Sequence, residues 1–216
     1  MRIAAAFAPG LVISVAISVA IAACSPTTPT GTLGPCGDDA ASVGGFPVME
    51  QLLPTALEGK PADVVNSGRS CSDTALGTLT SHGIHELRYA GATWNQGQSD
   101  ATVIAVLATP SDQPFPQEAW IEEFYTAGAI NARHTGDVTT TRPTIDPVGE
   151  VFRLETINDL SLQTVVIWDD RGLIHVVIVA SNVDPNASRA EHDRRVTVAV
   201  ASATVEPPLP SGAGPQ

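Results

Sequence analysis

A chain of 216 residues has room for one domain of ordinary size around a substantial buried core. Its 11 basic and 23 acidic residues leave a formal charge of −12, which makes nucleic acid and anionic headgroups poor partners and argues against both. Lys60 is the only lysine, a preference for arginine that fits a GC-rich genome and carries no chemical information.

The chain opens with a single charge, Arg2, ahead of an apolar run from Ile3 to Ala23 that has no ionised side chain and is long enough to span a bilayer. A retained transmembrane helix and a cleaved signal peptide compete for this run, and Pro9 and Gly10 weaken the front of any such helix. Its end, Ile21-Ala22-Ala23-Cys24, resembles the bacterial lipobox, in which small residues precede a cysteine whose thiol accepts a diacylglyceryl group. The resemblance implies a lipoprotein signal peptide over residues 1–23 and lipidation of Cys24. Acyl chains such as palmitate, each buried methylene contributing about 0.8 kcal/mol, would then hold the domain on the extracytoplasmic face of the cell membrane. Residues 24–35 are rich in Pro, Thr and Gly and bury little apolar surface, so a flexible tether is expected there, with a plain spacer a simpler reading than a glycosylated one.

Cys36 and Cys71 then remain as an even pair without C-x-x-C or metal-ligand spacing. In an exported chain that pattern predicts a structural disulfide, pinning the N-terminal segment to a domain expected over 36–205.

Val48, Leu52, Leu53 and Leu57 give Phe46 to Leu57 a helical pattern, interrupted by Pro54 and ended by Gly59 and Pro61. Asp73 is placed to cap a helix running through Leu76 and Leu79 to His82, with Gly83 as its stop. Ile84 to Trp94 reads as a strand, residues 96–100 as a polar turn, and Ala101 to Ala108 as a second strand completing a hairpin. Pro116 at the first helical position opens a helix to about Arg133, whose face of Trp120, Ile121, Phe124 and Ala127 or Gly128 is expected to pack on a sheet.

The second half repeats the scheme. Val151 to Thr156 alternates like a strand, and Leu162 to Trp168 turns through Asp169-Asp170-Arg171-Gly172 into Leu173 to Ala180. Ser188 and Glu191 fit a capping box for a last helix through Val196 and Val200. Val196, Val198 and Val200 also alternate as a strand would, so 189–203 stays open between the two. Residues 206–216, rich in proline, read as a disordered tail.

Together these elements predict a single α+β domain, an antiparallel sheet of hairpins with helices packed on it, in which Trp120, Phe124 and Trp168 share one buried layer. The stretch Gly83 to Trp94 and the helix bearing Glu122, Glu123, Phe124 and Tyr125 resemble small uncharacterised lipoprotein domains of high-GC Gram-positive bacteria. That resemblance brings no catalytic motif with it.

His82 and His85 have the spacing of metal ligands, but Gly83 lies between them and no third ligand completes a site, so no metal is expected. His175 in an apolar strand reads as a hydrogen-bonded, partly buried residue rather than a general base. No Gly-x-Ser-x-Gly or Ser-x-x-Lys motif is present. Glu122 and Glu123 diverge on their helix, and Asp169 and Asp170 sit in a turn, so neither pair forms a carboxylate site. Asn186-Ala187-Ser188 matches a glycosylation acceptor and is better explained as turn and cap. The sequence therefore names no catalytic residue and no cofactor. Its leading expectation is a non-enzymatic binding or accessory module, lipid-anchored at the membrane, for an envelope protein or an apolar small molecule. The alternative is an envelope enzyme of unrecognised type, with His175 and His134 as the participants nearest ordered elements.

Overall fold

The computed structural model describes residues 36–95, 100–132, 135–157, 161–170, 172–182 and 189–204. The expected signal peptide, Cys24, the expected tether, His134, the Asn186-Ala187-Ser188 stretch and the expected C-terminal tail lie outside the described residues. The expected α+β class holds, and one antiparallel sheet of eight strands organises it. The strands are β1 (Ala40–Ser42), β4 (Val64–Ser70), β5 (Leu87–Trp94), β6 (Thr102–Ala108), β7 (Asp137–Thr141), β10 (Phe152–Ile157), β11 (Ser161–Asp170) and β12 (Leu173–Asn182). Their order across the sheet is β1-β4-β5-β6-β12-β11-β10-β7.

The order is palindromic about the central pair β6 and β12. Each half also holds a small hairpin between its edge strand and the next: β2 (Ala56–Leu57) with β3 (Lys60–Pro61), and β8 (Thr144–Ile145) with β9 (Gly149–Glu150). Each half ends in a long helix, α3 (Glu118–Asn131) and α4 (Arg189–Ala203). The repeated scheme visible in the sequence is thus a repeat of topology.

The two long helices cover opposite faces. Alternation along the strands sends Ile104, Val106, Val166, Trp168, Val177 and Val179 to the face where Val196, Ala199, Val200 and Ala203 of α4 pack. Leu107, Leu154, Val165, Ile167, Ile174 and Val176 go to the other, beneath Ile121 of α3 and Leu76, Leu79 and Ile84. A sheet covered on both sides explains why β12 reads as an almost unbroken apolar run. The stripe 196, 199, 200, 203 also settles 189–203 as helix: it follows the helical repeat, whereas the strand reading groups Val198 with Val196 and Val200, and Val198 is only half-buried.

Several expectations are corrected. The helix expected over Phe46–Leu57 is one short turn, α1 (Pro47–Glu50), after which Leu53 tucks into the core and the chain enters the β2–β3 hairpin. The cap before α2 (Asp73–Leu76) is Ser72, whose Oγ accepts the Ala75 N–H at 3.2 Å, so Asp73 is the first helical residue. A 3-10 segment, Gly77–His82, continues it to Gly83, which ends it with φ +79 as a left-handed stop. Pro116 is not the first helical residue of α3: Gln117 is its N-cap and Glu118 its first helical position. Asp169 and Asp170 belong to β11, paired with Ile174 and Leu173, and Gly172 with φ +81 makes the tight turn. The single aromatic layer does not form: Trp168 lies on the α4 face, Trp120 and Phe124 lie on the α3 face, and both of the latter are half-buried.

Candidate functional site

Helical periodicity brings the most chemically loaded group of the domain under α4. His192 stands one turn before Val196 on the same buried stripe and is 0% exposed. Beneath it, strand alternation delivers Thr164 of β11 and Ser181 of β12 to the α4 face, where a run of valines gives way to hydroxyls. Ser181 Oγ lies 2.8 Å from His192 Nδ1, and Thr164 Oγ1 lies 2.7 Å from Nε2. Arg195, one turn further along α4, donates from Nη1 to Ser181 Oγ at 2.9 Å and from Nη2 to Thr102 Oγ1 at 3.2 Å.

Proton positions in this chain follow from its acidic end. Glu155 of β10 receives Thr164 Oγ1–H at 3.3 Å and is held by Arg153 and Arg189. Burial opposes its ionisation, but the hydrogen bonds of Arg189 and Arg153 outweigh that, and its carboxyl titrates below the usual range. An ionised carboxylate only accepts, so Thr164 must donate to it and must in turn accept from His192 Nε2–H. Burial pushes His192 down to about 4, partly opposed by the Asp193 charge, so the ring is neutral at pH 7 and Nδ1 carries a lone pair. Ser181 then donates to Nδ1. The result is a directed chain, Ser181 to His192 to Thr164 to Glu155.

Ser181, itself almost buried, and Arg195 border a surface cleft of about 290 Å³ shared with Asp100, Asn182 and Arg194, with the fully buried His192 directly behind Ser181. Asp100 Oδ1 accepts the Asn182 backbone N–H at 2.9 Å, and Arg194 bridges Glu58 and Glu191 at 2.6 and 2.7 Å. A smaller recess of about 70 Å³ adjoins it beside Trp94, whose Nε1 donates to the Lys60 carbonyl at 3.0 Å.

The residues singled out from the sequence are scattered. Cys36 and Cys71 are bonded, with Cα atoms 5.5 Å apart, joining the N-terminal segment to the start of α2. His82 stacks on Trp120 with ring centroids 4.5 Å apart and meets Glu123 at 2.9 Å, while His85 is exposed. Glu122 faces Arg142 at 2.7 Å. His175 is buried against Trp168, ring centroids 5.1 Å apart, at the opposite end of β12 from Ser181. Among the described residues no three His, Cys, Asp or Glu side chains form a group able to hold a metal ion, and no helix is long and apolar enough to cross a membrane.

Ser181, His192, Thr164 and Arg195 carry no linear motif, so the sequence alone does not single them out. The available signal was positional: a histidine on the apolar stripe of a helix, and hydroxyls at inward positions of apolar strands. No family model matches the chain, and no curated protein or solved structure is significantly similar to it.

Proposed function

We propose that this protein is an extracytoplasmic lipoprotein, held at the cell membrane by Cys24, whose domain serves as a binding or accessory module for an envelope protein. The disulfide supports export, since such bonds persist in oxidising compartments. The observation that carries the choice of a protein partner is apolar exposure on the N-terminal segment. Val43 and Val48 are 77% and 74% exposed on either side of Phe46, close in sequence to the tether. Fully buried side chains such as Leu79, Ile84, Ile121, Val177 and Val200 line both faces of the sheet, so partner binding is assigned to the surface and not to an internal apolar chamber.

The test uses the full chain in bacterial membranes. Cys24→Ala should abolish incorporation of an acyl-chain analogue and detergent-phase partitioning; unchanged partitioning removes the anchor. A photoreactive residue replacing Val48 should give one discrete crosslinked species that the same residue replacing exposed Thr197 does not. Equal or absent crosslinking at both positions removes the assigned surface. One observation favours a second reading, an envelope enzyme: the directed hydrogen-bond chain opens at Ser181 onto a cleft.

A further inference from the structure

We propose that Ser181 is a nucleophile for acyl transfer from a carboxylic ester bound in the α4 cleft, with His192 as its base and Arg195 beside the developing oxyanion. The proposal rests on the enzyme reading and names the substrate class and the roles within it. Three independent features of the site converge on one oxygen. Ser181 Oγ donates to a neutral imidazole nitrogen at 2.8 Å, within the distance a general base requires. The far nitrogen of that ring is committed to Thr164 and through it to the Glu155 carboxylate, so the tautomer is set and the imidazolium formed on proton transfer is stabilised. This is the logic of a serine triad with a threonine between base and acid. The Arg195 guanidinium, 2.9 Å from Oγ, is within reach of a carbonyl oxygen attached there and offers fixed positive charge where negative charge develops.

The chemistry closes on these groups. Ser181 Oγ bonds to the ester carbonyl carbon as its proton passes to His192 Nδ1. The tetrahedral adduct collapses, the carbon–alkoxy bond breaks, and the alkoxide leaves with that proton as an alcohol. Water then attacks the acyl-serine, giving its proton to Nδ1. Release of the carboxylic acid returns the proton to Oγ. An ester suits this base better than an amide: a buried imidazole binds a proton weakly, and an ester carbonyl demands less activation of its nucleophile. Asp100, Asn182 and Arg194 around the opening favour an ester whose alcohol part is polar. Thr164 and Glu155 are positioning residues, acting through the imidazole.

The experiment treats the full lipidated chain in detergent with a biotinylated fluorophosphonate, which transfers its phosphonyl group to an activated serine with loss of fluoride, and locates the adduct by peptide mass spectrometry. Hydrolysis of p-nitrophenyl acetate is followed in parallel. The native protein is expected to carry the adduct on Ser181, forming at least about a hundredfold faster than in urea, the lower end of what a positioned base contributes. Ser181→Ala should remove both adduct and turnover. Thr164→Val, close to isosteric, should slow labelling about tenfold and shift its pH profile, which a merely structural role for the hydroxyl would leave in place. An adduct on another residue, with turnover surviving Ser181→Ala, overturns the role of Ser181 while the enzyme reading stands. Native protein giving neither adduct nor turnover overturns both.

Discussion

His192 of α4 sits between Ser181 and Thr164, 2.8 Å and 2.7 Å away, with both ring nitrogens used and no exposed surface. The groups facing it include the charges of Asp193, Arg153, Arg195 and Glu155, yet burial dominates and lowers its affinity for a proton to about 4. In the unfolded chain the same histidine titrates near 6.5. A depressed histidine contributes stability that is fully present above pH 6.5 and is lost as pH falls through about 4, because in that window the unfolded state binds the extra proton. The loss should approach about 3 kcal/mol. Urea unfolding at a series of pH values measures it, with His192→Gln as the comparison. A wild-type profile that is flat from pH 7 to pH 4.5 would show that the imidazole is not held neutral. Glu155 and Asp193, both held below the usual carboxylate range against the pull of burial, extend the decline to still lower pH.

On the other face of the sheet, α3 meets its neighbours unevenly. Ile121 is 0% exposed, whereas Phe124, three residues on, is only half-buried and covers Gly77 from the rim. Ile121→Ala should therefore cost about 2 to 5 kcal/mol, and Phe124→Ala less than that despite the larger side chain, since part of its surface is already wet and no closed cavity is left behind. Chemical denaturation of the two variants ranks them. A larger loss for Phe124→Ala would mean that the ring is more deeply packed than this geometry allows.

Spacing in the sequence does not fix that ranking. The helical face of Trp120, Ile121 and Phe124 was legible from spacing, as were the β11–β12 hairpin and the disulfide, because each depends on local pattern or on a count of cysteines. Spacing says which residues share a face. It does not say how far a partner extends over that face, which depends on short segments such as the 3-10 turn Gly77–His82 packing against α3. The layer of Trp168 is illegible for a related cause: both faces of the central strands are apolar, so alternation gives no hint of which face meets which helix. β4 is hidden in the sequence because Asn66, Ser67, Gly68 and Arg69 have the composition of a loop, yet they pair in full register with β5. The α4 site was hidden because it joins residues from β10, β11, β12 and α4, which no linear motif spans.

The bridge between Cys36 and Cys71 closes a separation of 35 residues and by loop entropy should stabilise the fold by about 4 kcal/mol. It is reinforced by Asp39, whose carboxylate accepts the backbone N–H of Cys71 at 2.6 Å and of Ser72 at 3.0 Å. Reduction should lower the melting temperature while β6 and β12 keep their hydrogen-exchange protection and β1 loses its own, because β1 is the three-residue edge that the bridge holds in place. Uniform loss of protection across the sheet would show instead that the bridge supports the whole core.

Gly68 allows a sharper test of how β1 is held. It lies in β4 opposite Ala41, and a Cβ there would overlap the Ala40 carbonyl oxygen and come within 2.8 Å of both Ala41 Cα and Tyr89 Oη. Two of these obstacles are backbone, so no rotation of a side chain relieves them. The tyrosine can swing, but the edge strand must move. Three residues of pairing are too few to resist such a displacement, while the bridge at Cys36, just ahead of β1 in the chain, keeps the N-terminal segment from leaving. Gly68→Ala is therefore expected to cost about 1 to 3 kcal/mol through overpacking and to strip protection from the amides of β1 alone. Combining it with reduction of the bridge should release the segment and return part of that cost, since the strain of a displaced but tethered strand disappears. Additive losses in the double perturbation would show that β1 and the bridge act independently. A Gly68→Ala protein with wild-type stability and exchange would mean that β1 does not pack this closely on β4.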